Sequence, residues 1–398
     1  MNQWQLTTSE RAALLDFLRR LVQTPSLSGE EQSIAELLVA EMRTLGFHHV
    51  RRDAAGNVLG ELGTGDGPLL LLDSHMDTVS VSTPETWDRD PWSAELRDGE
   101  LYGLGSCDMK GGLAATIYGA AHLLHLGVPL TGRVLVGVVG LEEPCEGVGT
   151  RVLFEEDGIA PDWVVIAEPS NLQVIRAQRG HQEMSLSVAG RSAHSAAPQL
   201  GENAIYNMAR ILFGLEILSE QLTTDSFLGA GVLAVTNIHS RAVSRNAIPE
   251  FCEITIDRRL TLGETETSAL NEIQHVLSRE GVTGHVEVIE EEITTYTGKT
   301  YPVRRTSLPW AFEAEHPLIQ AMVAAARQVG GQPKLEKWPF ATEGAYTAGV
   351  AQVPTVGFGP GDPALAHTSN EHIPVAQVYA AAGAYAALAG RLLGGASD

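Results

Sequence analysis

The chain has 398 residues, 44% hydrophobic and 19% charged, a globular balance that excludes a mainly disordered polypeptide. With 27 Lys and Arg against 49 Asp and Glu, its formal charge is −22, which sets the surface against phosphate backbones and anionic lipid. Neither nucleic acid nor a membrane is therefore an expected partner. Cys107, Cys145 and Cys252 form no CxxC pair and no disulfide framework, so they read as reduced thiols of a cytoplasmic protein. Residues 1–23 intersperse Glu10, Arg11, Asp16 and Arg19 among apolar positions and show no signal-peptide core.

In chain order, Leu14, Leu15, Phe17, Leu18 and Leu21 predict an opening helix with Ser9 as its N-cap. Ser28 followed by Glu31 predicts a capping box and a second helix towards Leu45. Short, nearly continuous apolar runs at 69–72, 134–139, 164–166 and 355–358 suit strands buried on both faces. The stretches 111–126 and 147–156 read as crossover helices. From about residue 180 the texture changes. Residues 184–188 and 254–256 alternate apolar and polar, as in strands with one exposed face, and helical segments lie near 203–219 and 264–279. The expected fold is α/β. A helix-covered, mostly parallel sheet is formed by residues 1–178 and 295–398, and a smaller α+β (ferredoxin-like) lid, residues 179–294, is inserted into it.

The chemistry-bearing residues sit where the buried strands end, the place where ligands gather in open α/β sheets. The run 69–72 leads into His75, with Asp77 two residues on, a spacing in which a carboxylate can orient an imidazole. A polar loop is the plain alternative. Asp108 stands in a glycine-rich turn, Gly103 to Gly112, that matches neither phosphate-loop pattern. The run 134–139 leads to Glu142 and Glu143, adjacent carboxylates that repel each other unless a cation sits between them. A solvated acidic turn including Glu146 is the rival reading. Glu168 and His367 follow two further strands. Together His75, Asp108, Glu143, Glu168 and His367 are a His/carboxylate set without thiolate, suited to Zn²⁺, with Co²⁺ or Mn²⁺ as alternatives. Five ligands exceed one tetrahedral site and suit two metals sharing a carboxylate.

The order and context of these motifs resemble the M20 family of metallopeptidases and amidohydrolases, which includes acetylornithine deacetylase, succinyl-diaminopimelate desuccinylase and the glutamate carboxypeptidases. The resemblance spans essentially the whole chain. It implies two Zn²⁺ per chain, with His75 and Glu168 on one metal, Glu143 and His367 on the other, and Asp108 bridging. It also implies Asp77 as the partner of His75 and Glu142 as general base. In the inserted segment, Gly190-Arg191-Ser192-Ala193-His194-Ser195-Ala196 resembles the family's lid motif, whose His contacts the reacting carbonyl and, in dimeric members, reaches the partner subunit's site. Asn246, in Asn246-Ala247-Ile248-Pro249, resembles a substrate-contact segment, and Arg259 falls where the family grips a substrate carboxylate. Alternation puts Arg258 and Arg259 on opposite faces, so only one can serve.

The implied activity is hydrolysis of N-acyl amino acids by a metal-bridging hydroxide, in the manner of acetylornithine deacetylase or the desuccinylase. A metallo-carboxypeptidase or dipeptidase with the same centre is the alternative, and a homodimer through the inserted domain is the implied assembly. A non-catalytic metal-binding scaffold is a third reading, but no ligand and no Glu142 is lost. A serine hydrolase is disfavoured because no GxSxG elbow occurs. His122 and His125 read as packing, as does Cys107, and Glu290-Glu291-Glu292 as a solvated edge.

Overall fold

The computed structural model describes residues 3–81 and 83–394. A nine-stranded sheet forms the centre of the larger domain. Its middle consists of Arg133–Val139, Leu69–His75, Trp163–Ile166 and Thr355–Gly357, all parallel. The expectation of a mostly parallel sheet holds for these four and for Leu335–Trp338 beside Val174–Gln178, whereas the other flanking pairings are antiparallel. Val58–Leu62 and His48–Arg52 pair antiparallel on one side, and Val174–Gln178 joins antiparallel on the other. Short apolar runs report burial on two faces but carry no strand direction.

Burial explains the runs. Leu70, Leu72, Val134, Val136 and Val138 pack beneath the helices Thr8–Val22, Gln32–Thr44, Gly111–Leu126, Pro317–Gln328 and Val375–Leu393. Leu69, Leu71, Leu135, Val139, Val164 and Ile166 face the opposite layer with Leu153 and Trp338. Neither face of the central strands meets water, so alternation is lost.

Both helix caps differ from expectation. Thr7, not Ser9, caps the first helix: its side chain accepts from the Glu10 amide, and the Glu10 carboxylate accepts from the Thr7 amide at 2.7 Å. The second helix begins at Gln32 without a side-chain cap. Ser28 instead donates to Asp77 Oδ2 at 2.7 Å, and the buried Glu31 accepts from the amides of Gly29 and Leu141. Both residues serve the neighbouring site rather than the helix.

The inserted unit follows a β-α-β-β-α-β path, the order of a ferredoxin-like fold. Its principal strands lie in the order Val232–Arg241, Phe251–Leu260, Gly180–Ala189, Gly284–Val288. Met184, Leu186, Val188, Ile254 and Ile256 pack against Met208, Ile211 and Leu215 of helix Ala204–Ser219 and Ile273 and Val276 of helix Glu266–Arg279. Arg258 is fully buried and paired with Glu264 and Glu272, a structural role. Chain enters and leaves through one ribbon: Gln178 faces Trp310, and Gln182 faces Thr306. Among the described residues no helix is long and apolar enough to cross a membrane.

Candidate metal centre and active site

The five proposed ligands converge. His75 closes its strand fully buried, and its Nδ1–H donates to the carbonyl of Asp77 at 3.0 Å. That bond leaves Nε2 to face Asp108 Oδ1 at 3.2 Å and Glu168 Oε1 at 3.4 Å. On the other side of Asp108, Oδ2 lies 3.5 Å from His367 Nε2, which is itself 2.8 Å from Glu143 Oε2. Each oxygen of Asp108 thus faces a different imidazole. Ligand atoms of His75, Asp108 and Glu143 lie within 4.8 Å of one another, as do those of His75, Glu142 and Glu168. A donor set of imidazole nitrogen and carboxylate oxygen, shared through one carboxylate, fits a pair of divalent ions.

The partner that orients His75 is the backbone of Asp77. Its carboxylate stands farther off, 3.6 Å from Nδ1. That carboxylate instead accepts from the amides of Glu142 at 3.1 Å and Glu143 at 3.2 Å, pinning the paired-glutamate turn beside His75.

Asp108 is aimed by its loop. Gly105 adopts φ +77°, and a Cβ there would come within 2.6 Å of Thr78. Gly112 lets the following helix start against the end of strand Trp163–Ile166, where a Cβ would come within 2.1 Å of the Ala167 carbonyl. The peptide from Asp108 to Met109 is cis. Leu141 and His367, both non-glycine, have left-handed backbones at φ 62° and 58°, conformations that cost about 1–3 kcal/mol and cluster at functional sites.

Buried carboxylates this close repel. In the metal-free chain, burial and then the Glu343 charge hold Glu142 well above the usual carboxylate range. Burial and the Asp108 charge raise Glu143 and push Glu168 up to about 7. Burial opposes a charged His75, but the neighbouring carboxylates of Asp108, Asp77 and Glu168 outweigh it and hold its pKa well above the ordinary value. The hydrogen bond with Glu143 pushes His367 up to about 9.

A cavity of about 350 Å³ opens from Asp108, Glu142, Glu143, Glu168 and His367 towards the inserted domain. Arg259 lines it, gripped by Asp257 at 2.9 and 3.0 Å, so the pocket faces Arg259 and not Arg258. His194 and Asn246 are brought together elsewhere: His194 bridges to Ala247, and the Ser195 amide donates to the Asn246 carbonyl at 2.8 Å. Neither belongs to the cavity wall.

Residues 71–391 match the model of peptidase family M20/M25/M40. The chain belongs to this family. The YgeY protein of Escherichia coli (strain K12) is 36% identical over 379 residues, covering 95% of this chain and 94% of its own. Acetylornithine deacetylase of Proteus mirabilis (strain HI4320) is 29% identical over 382 residues, covering 91% and 92%. Among solved structures, Bacillus subtilis YXEP, a dinuclear metal binding peptidase from the M20 family, matches with a TM-score of 0.73 at 16% identity over 97% of this chain and 99% of that one. Membership makes the chain an M20 metallohydrolase of amide or peptide bonds.

Several residues of this M20 site escape sequence reading. Glu371 is buried and accepts from the amides of Gly105, Cys107 and Asp108 at 2.7–2.9 Å, fixing the Asp108 loop. Its only sequence signal is its position four residues after His367. Glu343 is buried beside the centre. Glu146 is not a solvated turn residue; it meets the nearly buried His181 at 3.2 Å. Cys107 is a buried thiol donating to the Asp362 carbonyl, and His122 is buried between Glu10 and the Gln3 carbonyl, so both are packing residues as expected. Glu290 and Glu291 pair with Arg304 and Arg305.

Proposed function

We propose that the chain hydrolyses the amide bond of N-acyl amino acids, using two Zn²⁺ ions per chain. The observation that carries this is the single cavity joining the doubly faced Asp108 and Glu142 at one end to Arg259 at the other. When bound, the ions would supply Lewis acidity and a water acidified towards neutral pH. His75, Glu168 and Asp108 would hold one, and Glu143, His367 and Asp108 the other. Glu142 takes the proton of the attacking water and returns it to the leaving nitrogen. Arg259 offers Nη1, outside its two bonds to Asp257, to the substrate carboxylate. The likeness to acetylornithine deacetylase supports the deacylase reading. The fold shared with a dinuclear peptidase supports cleavage of short peptides, by a carboxypeptidase or dipeptidase, as the second reading.

Metal analysis joined to a substrate panel tests both. About two metals per chain, and metal-restored release from N-acetyl- or N-succinyl-amino acids, is the expected result. Cleavage of dipeptides or C-terminal peptide substrates alone selects the second reading. A chain that binds no metal under any condition ends both.

His194 and Asn246 lie outside their own cavity wall, so we assign them to the site of a second copy. The free edge strand Val232–Arg241 exposes Val232, Val235 and Ile238, and the adjacent helix exposes Tyr206, Phe213 and Ile217. A long apolar edge invites pairing with an identical edge. His194→Ala is expected to lower kcat by roughly 10²–10³-fold, the worth of an oxyanion donor. Mixing that variant with Glu142→Gln should restore activity, because one mixed site recovers both groups. A mixture no more active than its parts refutes the assignment.

A further inference from the structure

His181 is 9% exposed at the start of strand Gly180–Ala189, directly across the ladder from Arg259. Its two ring nitrogens face carboxylates from different domains. Nδ1 lies 3.2 Å from Glu146 Oε1, and Nε2 lies 3.2 Å from Asp257 Oδ2 and 3.7 Å from Glu183 Oε1. A neutral imidazole has one donor and would leave one of these acceptors facing a lone pair; an imidazolium donates to both sides. Glu146 follows three residues after Glu143 in the turn that carries the base and a metal-facing carboxylate. Asp257 holds Nε and Nη2 of Arg259. A continuous line of contacts therefore runs from the paired-glutamate turn through Glu146, His181 and Asp257 to the guanidinium.

Resting on the function proposed above, we propose that His181 is a positioning residue. As an imidazolium it ties the turn of the catalytic sheet to the inserted domain. It thereby sets how far the Arg259 guanidinium stands from the metal centre. The substrate class selected is one whose carboxylate sits at a single fixed distance from the scissile amide, as in an N-acyl α-amino acid. The charged and titratable groups around the ring are Glu146 from the catalytic domain and Glu183, Asp257 and Arg259 from the inserted one. The surroundings favour the charged form: burial opposes it, but Asp257 and Glu146 outweigh burial and push the pKa up to about 9.

The test compares the panel's best substrate with its carboxamide form, in which the carboxylate is neutralised, for wild type, His181→Gln and His181→Arg. In His181→Gln, KM for the carboxylate substrate should rise about 10–100-fold, the worth of a charge-assisted hydrogen bond. The KM for the carboxamide, the metal content and Tm should stay near wild type. His181→Arg, which keeps charge and donors, should recover much of the difference. The wild-type KM should also rise as pH passes about 9 and the imidazolium is lost, a limb absent from His181→Gln. Undiminished preference for the carboxylate in His181→Gln overturns the inference alone, as does equal loss on both substrates. A wild type that treats both forms alike overturns the role of Arg259 and this inference with it.

Discussion

Replacing Glu142 by glutamine is expected to lower kcat by roughly 10²–10⁴-fold, the range for a positioned general base, while the metal content stays unchanged. The side chain is buried beside His75 and Glu168, and its backbone is fixed by Asp77, so the isosteric amide keeps its place. What it loses is basicity. Glu143→Gln should behave oppositely, losing metal together with activity, because Glu143 faces His367 at 2.8 Å. Kinetics paired with metal analysis of both variants decides the matter. If Glu142→Gln sheds metal and Glu143→Gln does not, base and ligand are exchanged.

The second large effect concerns stability. Stripped of metal by chelation, the protein is expected to melt several degrees lower at pH 8 than at pH 6. Glu142 and Glu143 are raised, and Glu168 is pushed up to about 7, whereas the unfolded chain ionises these groups near 4.3. As pH climbs between those values, the unfolded chain sheds protons that the fold retains, and stability falls by about 1.4 kcal/mol per unit for each group. The histidines act in the same direction. With folded pKa values above the ordinary 6.5, the stability given by His75 and His367 is complete below that value. It is lost as pH rises, through about 9 for His367. Asp77, held low by His75 despite burial, stays ionised throughout this window. Bound cations displace the protons, so added Zn²⁺ should raise Tm more at pH 8 than at pH 6. Thermal melts with and without chelator check this; a metal-free protein more stable at pH 8 contradicts it.

Of the five converging residues, His75, Glu143, Glu168 and His367 were legible because each ends or follows a buried apolar run, whereas Asp108 showed only as the carboxylate of a glycine-rich turn. Less was visible where function depends on backbone atoms or on facing elements. The carbonyl of Asp77, rather than its carboxylate, bonds His75, and no side-chain pattern encodes that. Alternation showed that Arg258 and Arg259 point oppositely, but which face meets the cavity depends on where the two lid helices pack. His181 and Glu146 are unremarkable singly, since their meaning arises only when two domains meet. Ser28 and Glu31 imitated a capping box because the residue types that cap helices also donate to and accept from a buried site.

The ribbon joining the two domains has a further consequence. Gln182 and Thr306 are ladder partners, and Cα atoms so paired are about 5 Å apart. The stretch between them is one long excursion from a gap that a hairpin turn would span, its end folding back so that Tyr296, Tyr301 and Val303 pack on the catalytic domain, and closure entropy grows only logarithmically with its length. His75, Asp108, Glu143 and Glu168 all precede that gap and His367 follows it. The five residues proposed to hold metal thus lie outside the excursion, and Arg259, proposed to meet the substrate carboxylate, lies within it. On the proposed roles, substitutions near Arg259 would redirect specificity while the proposed metal ligands keep their sequence.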